Sequence, residues 1–260
     1  MGIKRGNTTL SAIKRGSTTI TKVYKGALQV YPTSPLDPDA QAFITATGIT
    51  NTTTISAINS LVLQLKSDNI WNKMRVIYPF VGGTINTNKY NLKNPLNTDA
   101  AFRLTFENAW GFGSNGVTNG GASSYANTHW IPSAQTFTTG VHMSTFKDLS
   151  GSVPDGYDMG AAGGGGADWA LINRFFNNND YWSAGAGGYL NTTSLSATGF
   201  VAGSTGSTTR DLYDNGVKIA TDGVTSIGGG TTIPIYFSAV NNNGTAANFD
   251  SGSRYSFATI

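Results

Sequence analysis

The stretch Arg210-Asp-Leu-Tyr-Asp-Asn-Gly-Val-Lys-Ile-Ala-Thr221 decides the fold, because its centre predicts a tight β-hairpin. Asn215-Gly216 favours a type I′ turn, in which both central residues need a positive φ. With that turn, Leu212 pairs with Ile219, and their apolar side chains share one face of the ribbon. An isolated two-stranded ribbon is at best marginally stable, so the hairpin predicts a larger sheet around it.

Segments on both sides of the hairpin have the composition and alternation of further strands. They are, in chain order, residues 75–81, 101–106, 141–146, 169–174, 180–183, 198–203 and 233–240. We interpret the Gly- and Asn-rich stretch 110–121 as irregular and the glycine run 161–167 as a connector. The pattern predicts a mainly β protein, with an antiparallel sandwich over residues 75–260.

The composition fits one large sandwich with a small appendage. The 260 residues contain 33 glycines and no cysteine, and only 12% of them are charged, against a usual ~25%. Disulfides and thiolate metal sites are therefore excluded. No apolar run approaches the ~20 residues of a membrane helix, and the N-terminus lacks the apolar core of a signal peptide. We expect a soluble protein, made in a cytoplasm, that does not contact a membrane.

An internal repeat with a period of ten occupies residues 3–32. The segment 3–10 recurs as 13–20 and more loosely as 23–30, and each copy predicts two short strands that turn at a glycine. Its basic residues are Lys4, Arg5, Lys14, Arg15, Lys22 and Lys25. Without these six, 11 basic residues stand against 14 acidic ones, so the net charge changes from +3 to −3.

The cations of the repeat admit two interpretations. They can bind an acidic partner, or they can protect strand edges and turns from stray pairing, which we favour. No aromatic platform accompanies them, so we do not expect nucleic acid as a partner. Thirty residues of short strands are too few to bury their own apolar face. We therefore expect residues 1–32 to pack against another chain. A homotrimer is our first expectation and a dimer the second, with Lys4, Arg5, Lys14, Arg15 and Lys25 as the anchoring residues.

Residues 33–74 predict a linker followed by two short helices. The first helix spans Asp39 to Thr47 and stops at Gly48. The second begins near Thr53 or Thr54, and its apolar residues recur at the spacing of one helix face. That face could bind a partner, but we favour packing within the chain.

Two features resemble known families. "LYDNGVKIA", followed by "IPIYFSAVNNNGTAANF" and "YSFATI", resembles concanavalin/laminin-G-like jelly-roll domains over residues 135–260, and in particular those of tailed-phage structural proteins. The helical segment and the "K-G-x-T" repeat also resemble parts of phage head and tail appendages. The resemblance implies a jelly-roll sandwich, often a glycan-binding one, in a head fibre, decoration protein or tail appendage. A virion location and contacts with capsid or tail proteins are implied as well, whereas catalysis is not.

The acidic residues argue against an enzyme. Glycosidases need a pair of carboxylates, but Glu107 is the single glutamate and has no carboxylate within seven residues. Asp155 and Asp158 lie in a segment whose composition is typical of a turn, so we interpret them as loop acids. Of the two histidines, His142 falls in a predicted strand, where we expect a hydrogen-bonded sheet residue. We therefore predict no catalytic residues, no metal and no cofactor.

Glycan binding is the most specific function that the residue types suggest. The candidates, which combine aromatic faces with amide and carboxylate groups, are Asn177, Asp180, Tyr181, Trp182 and Asn242. The alternative is that Trp182 belongs to the core and the asparagines form turns. Two other functions stay open, a free lectin and a polysaccharide depolymerase. The N-terminal repeat argues against the first, and the lone glutamate argues against the second.

Overall fold

The computed structural model describes residues 36–137, 140–149, 156–163, 168–175, 179–185, 188–224, 227 and 230–260, together with short strand segments in the first 31 residues. The chain divides into two compact units, Met1–Asp37 and Pro38–Ile260. In the described part of the chain, no helix combines the length and the apolar character needed to span a membrane.

The first unit contains three antiparallel strand pairs, one for each copy of the ten-residue repeat. β1 pairs with β2, β3 with β4, and β5 with β6. Their bounds are β1 Lys4–Arg5, β2 Thr8–Thr9, β3 Ile13–Arg15, β4 Thr18–Ile20, β5 Val23–Lys25 and β6 Leu28–Tyr31. The proposed anchoring cations Lys4, Arg5, Lys14, Arg15 and Lys25 all fall within β1, β3 or β5. The register repeats as well, since Lys4 lies opposite Thr9 and Lys14 opposite Thr19.

Two predicted helices are confirmed in the second unit. α1 spans Pro38–Thr47 and ends where Gly48 adopts a φ of +68°, and α2 spans Thr52–Ser67. Asn51 caps α2 by accepting a hydrogen bond from the backbone N–H of Thr54 at 3.0 Å. A third helix, α3, covers Ile85–Asn88. α1 and α2 bury their apolar faces in a small core of Ala40, Phe43, Ile49, Ile58, Val62, Trp71, Ile77 and Leu92, and all three helices belong to the same compact unit as the sheets.

The rest of the second unit is built from short strands. In the first half they are β7 Ile77–Tyr78, β8 Thr105–Glu107, β9 Trp110–Gly113, β10 Gly116–Asn119, β11 Tyr125–Asn127, β12 Val141–Leu149, β13 Met159–Ala162, β14 Trp169–Phe175 and β15 Asn179–Ala184. They continue as β16 Leu190–Thr193, β17 Gly199–Thr205, β18 Arg210–Asp214, β19 Val217–Asp222, β20 Tyr236–Phe237, β21 Val240–Asn242, β22 Thr245–Ala247 and β23 Arg254–Thr259.

These strands form two sheets, counted over the described residues. The first has the order β19-β18-β17-β12-β23-β10-β9, with β7 also paired to β23. The second has the order β16-β15-β14-β13-β20-β11-β8, with β21 on β13 and β22 on β21. Within the described ladders, every pairing is antiparallel except that of β13 with β21.

The two sheets pack face to face, as the contact between β15 and β17 shows. Trp182 of β15 is fully buried and donates from Nε1 to Thr205 Oγ1 of β17 at 3.1 Å. A Cβ placed on Gly203 of β17 would lie 2.1 Å from the indole, so only glycine allows this approach. The core between the sheets includes Tyr78, Leu104, Val117, Trp130, Met143, Trp169, Leu171, Leu212, Phe237 and Tyr255. The predicted fold class, an antiparallel jelly-roll-like sandwich, is confirmed.

The hairpin at Asn215-Gly216 is confirmed, with Tyr213 opposite Lys218 as predicted, but the predicted pairing of Leu212 with Ile219 is wrong. The two turn residues have φ values of +51° and +80°, as a type I′ turn requires. A register shift lies between Leu212 and Tyr213, so Leu212 is opposite Ala220 instead of Ile219. Leu212 stays buried, and Ile219 also packs against the core. The bulge therefore lets one strand present an additional residue to the interior.

The interpretation of residues 110–121 as irregular is also wrong. They contain β9 and β10, which pair with each other, and β10 pairs with β23. A Cβ on Gly116 would lie 2.0 Å from the carbonyl oxygen of Tyr255, so this glycine is required by close backbone approach. The predicted strand at 101–106 begins later, at Thr105, because Phe102 adopts a left-handed conformation with a φ of +59°.

Candidate functional site

A cleft of about 610 Å³ opens where three strands of the first sheet begin or end. Its lining comes from the start of β12, the end of β17 and the start of β18, and from the segments at 72–75 and 130–140. The polar side chains among the lining residues are Asn72, Lys73, Arg75, Gln135, Thr136, His142, Ser204, Thr205, Thr209 and Asp211. Because these residues are spread over 140 positions, tertiary folding alone brings them together.

Aromatic rings supply the apolar wall of the cleft. Trp130 and Phe137 both line it, and their ring centroids are 6.0 Å apart. Trp169, in the core, supports both rings at 5.4 and 5.3 Å. Trp130 is fully buried and Phe137 is half-buried, so Phe137 is the ring that a ligand can reach.

Two cations stand at the rim of the cleft. Lys73 and Arg75 are exposed, and neither forms an ion pair with a described residue. The buried Asn91 holds the backbone of Arg75 in place, because its Nδ2 donates to the Arg75 carbonyl at 3.2 Å. The Arg75 N–H in turn donates to the carbonyl of Ile260 at 2.9 Å. The backbone at the rim is therefore fixed on both sides, although the cationic groups lie in solvent.

Asp211 is the carboxylate that lines the cleft, and it is already bonded. Thr221 and Thr209 donate to it at 2.7 and 3.0 Å, and Lys218 Nζ lies 3.0 Å away. Burial alone would raise the pKa of Asp211, but these hydrogen bonds outweigh burial and hold the pKa below its usual value. Asp211 is thus an ionised group, which is the opposite of the raised pKa that a general acid needs.

His142 lies at the floor of the cleft and confirms the sequence interpretation of a hydrogen-bonded sheet residue. Its Nε2 is 3.0 Å from Thr259 Oγ1 on the neighbouring strand β23. Burial lowers the pKa of the imidazole to about 4, so the ring is neutral near pH 7 and adds no charge to the cleft.

The described residues among the sequence-predicted glycan candidates lie on the second sheet and do not line this cleft. Trp182 and Asp180 are fully buried, so neither can present a surface to a sugar, and Trp182 is the core residue of the alternative interpretation. Tyr181 is half-buried and packs edge-on against Tyr189 at 6.1 Å. Asn242 is exposed on β21, which is separated from β15 by β13 and β14. Asn177 lies outside the described residues.

The predicted residue Tyr181 lies beside Tyr189 on a surface that also includes Tyr157, and neither of these two other tyrosines was among the sequence candidates. Tyr189 donates from its hydroxyl to Asp168 Oδ2 at 3.0 Å, and Tyr157 covers Gly160, where a Cβ would lie 2.6 Å from the tyrosine ring. Asp168 lies at the start of β14. The surface offers ring faces and one carboxylate, but its tyrosine hydroxyls are engaged within the chain.

Asp158 lies at a bend just before β13, as the interpretation of a loop acid requires, but it is buried and ion-paired; Asp155 lies outside the described residues. Asp158 and Asp250 are both buried and share one cation, Lys147, whose Nζ lies 3.1 and 3.0 Å from them. The hydroxyl of Tyr255 lies within hydrogen-bond distance of both carboxylates and can donate its single proton to either. Ser253 Oγ completes the group by donating to Asp250 at 2.8 Å. This carboxylate pair is sealed from solvent and neutralised in part by Lys147, so no substrate can reach it.

The comparisons with known proteins bear on the fold. No family model matches the sequence, and no curated protein matches it. Similar solved structures include domains LG4-5 of the mouse laminin α1 chain, with a TM-score of 0.39 and 13% identity over 55% of this chain and 41% of that one. Domain 4 of the arabinanase AbnA from Geobacillus stearothermophilus, in complex with arabinotriose, has a TM-score of 0.47 and 11% identity over 72% of this chain and 91% of that domain. The botulinum neurotoxin serotype D binding domain has a TM-score of 0.47 and 13% identity over 74% of this chain and 48% of that one. At these identities and TM-scores, the similarity carries no information about ligand or activity.

Proposed function

We propose that this chain is a non-enzymatic glycan-binding protein, and that the cleft beside Phe137 holds a short oligosaccharide. One observation carries the proposal: the cleft combines a reachable aromatic ring with hydroxyl, amide and charged groups from separate strands. Ligand sites typically enclose ~300–1,000 Å³ and combine apolar walls with a few polar groups that converge. A sugar presents both an apolar C–H face and a ring of hydroxyls, so it matches such a surface.

The carboxylates support binding without hydrolysis. Asp211 is the carboxylate among the lining residues, and its pKa is held low. Glu107 is exposed on β8 and does not line the cleft. The close pair, Asp158 and Asp250, is buried behind Tyr255. Glycoside hydrolysis by paired carboxylates needs both groups at the sugar, so we propose a lectin-like role in preference to a depolymerase.

A glycan array probed with the full chain, followed by calorimetric titration of the hits, tests this function. We expect Phe137→Ala to weaken binding by about tenfold, because a sugar loses its stacking surface. Phe146→Ala is the matched control, since Phe146 is 38% exposed on β12 and lies outside the cleft. Thermal melting checks that both variants are folded, and Gln135→Ala provides a polar variant of the same cleft.

Three outcomes decide the matter. Loss of binding in Phe137→Ala but not in Phe146→Ala supports the cleft. Loss in Tyr181→Ala instead would move the site to the surface predicted from sequence. Binding to no glycan, or release of reducing ends from a polysaccharide, would contradict the proposed function.

We also propose that residues 1–32 attach the chain to a larger particle, as a head fibre, decoration protein or tail appendage of a tailed phage. The support is the sequence resemblance together with the repeated strand pairs and their basic residues. Under this proposal the protein is a virion component, a homotrimer through its N-terminal unit, and the sandwich displays the glycan site. Deleting residues 1–32 should then leave a folded sandwich that no longer enters particles. Incorporation at normal copy number would refute the anchoring role.

A further inference from the structure

A second depression of about 320 Å³ lies beside the cleft, and the two share the lining residues Asn72 and Lys73. The second depression is lined by Lys66, Asn69 and Trp71 in addition to the two shared residues. Together they form one groove, which we call the 66–75 groove, between the end of α2 and the start of β12. A groove of this extent suits a chain of sugar units better than a single one.

Cations outnumber acids along the 66–75 groove. Lys66, Lys73 and Arg75 line it, whereas Asp211 is the acid among its lining residues. Asp211 is bonded to Lys218, outside the groove. Lys66 lies 2.6 Å from Asp39, so it is compensated within the chain. Lys73 and Arg75 are left without an ion pair among the described residues.

A neighbouring lysine shows that positive charge is concentrated here. Lys93 sits 3.8 Å from the centre of the Trp71 ring and donates to the Trp71 carbonyl at 2.8 Å. Burial lowers the pKa of Lys93; Asp39 opposes that shift, and the nearby Lys66 and Arg75 lower the pKa further. Lys66 and Arg75 therefore repel the charge on Lys93, and an anion in the groove would relieve that repulsion.

We propose that the 66–75 groove binds an acidic oligosaccharide, with the anionic group of one sugar unit on Arg75 and Lys73 and a neighbouring ring against Phe137. The inference rests on the proposed glycan-binding function and names its ligand class. A guanidinium at the rim can bind a carboxylate, sulfate or phosphate in two-point geometry. A nucleic acid is disfavoured, because the chain beyond residue 25 has a net charge of −3, and binding to a phosphate backbone uses many cations at once.

The test compares acidic and neutral glycans on the full chain. The array carries uronic-acid, sialylated, sulfated, phosphorylated and neutral oligosaccharides. A carboxylate hit is measured again as its methyl ester, which keeps the sugar but removes the charge. We expect the ester and Arg75→Gln each to lose at least about tenfold in affinity, because a charge-assisted hydrogen bond is lost. Lys73→Gln should also weaken binding of the acidic ligand. Raising the salt concentration should weaken binding of the acidic ligand but not that of neutral glycans.

Lys89→Gln is the control, because it removes the same charge outside the groove. Selective binding of acidic glycans that is lost in Arg75→Gln but kept in Lys89→Gln supports the proposal. Binding of neutral glycans with equal affinity would overturn it while the glycan-binding function stands. Binding to no glycan would remove the function itself. Binding to single-stranded DNA that is lost in Arg75→Gln would replace the saccharide by a nucleic acid.

Discussion

Replacing Lys147 by Met should cost the protein a large part of its stability. Lys147 is 3% exposed at its side chain and lies within 3.1 Å of Asp158 and Asp250, which are 0% and 4% exposed. Burial alone would lower the pKa of Lys147, but the two carboxylates outweigh it and raise the pKa, so the amine is charged. Removing one partner of a buried ion pair costs about 3–5 kcal/mol, because the other charge stays buried without compensation. Methionine keeps most of the aliphatic stem, so little of this loss comes from packing.

The pH dependence separates this electrostatic effect from a packing defect. Burial raises the pKa of Asp158 even in the wild type, where Lys147 opposes the shift. Without Lys147 the folded-state pKa rises further above the unfolded value. The ionised carboxylate therefore costs stability at high pH, and the cost disappears as pH falls through the folded pKa. The stability deficit of Lys147→Met should be larger at pH 8 than at pH 5.

Urea unfolding of both proteins at pH 5 and pH 8 measures the deficit. Lys218→Met is the matched control, since Lys218 lies 3.0 Å from Asp211 but is 46% exposed at its side chain, and exposed pairs contribute little. A deficit below about 1 kcal/mol, or one that is equal at both pH values, would refute the argument that Lys147 compensates two buried carboxylates.

Two further predictions concern the hairpin and the floor of the cleft. Gly216→Val should destabilise the protein by about 1–3 kcal/mol, because Gly216 has a φ of +80°, which a β-branched residue adopts only with backbone strain. A Cβ at this position would meet no neighbouring atom, so no steric clash adds to that strain. Gly216→Asn, which tolerates that φ, should melt close to the wild type, and an unchanged melting temperature in both variants would contradict the turn. Because burial lowers the pKa of His142 from 6.5 to about 4, the unfolded chain gains a proton first, and stability should fall as pH drops from 6.5 towards 4. The loss is at most about 3 kcal/mol, and melting curves of His142→Asn should show a flatter pH dependence; an identical one would rule out this source.

Local signals predicted the elements that short-range chemistry decides. The Asn215-Gly216 turn and the end of α1 at Gly48 each depend on a positive φ, and both are found. Asn51 caps α2 within one turn of the predicted start. In each case a few consecutive residues contain the whole cause, so no knowledge of the rest of the chain is needed.

Signals that depend on distant strands were misjudged. Gly116 was interpreted as part of an irregular stretch, whereas it is the point where β10 approaches the backbone of Tyr255. The residues around Asp158 have the composition of a turn. However, Lys147, the partner of Asp158, lies on β12, and the neighbouring carboxylate Asp250 lies in the segment before β23. Glycines and acids at such places have their causes on other strands, so spacing along the chain cannot reveal them.

The candidate site was out of reach of the sequence for a related reason. Its cations come from the short segment after α2, its aromatic ring from the loop before β12, and its carboxylate from β18. None of these has a motif around it. Asp180 and Trp182 have residue types expected in a sugar site. Because side chains alternate between the two faces of β15, both of them fall on its buried face.

Charge compensation distinguishes the structural cluster from the candidate site. Lys147 is buried with two carboxylates and a tyrosine hydroxyl, so its charge is satisfied within the fold and stabilises it. Lys73 and Arg75 have the opposite character, because both are exposed at the rim of the cleft and neither forms an ion pair with a described residue. Like charges held close together cost free energy unless a counter-charge arrives, and Asn91 keeps the backbone of Arg75 fixed all the same. Under the proposed function, an acidic ligand supplies the counter-charge that Lys73 and Arg75 do not receive from the described residues.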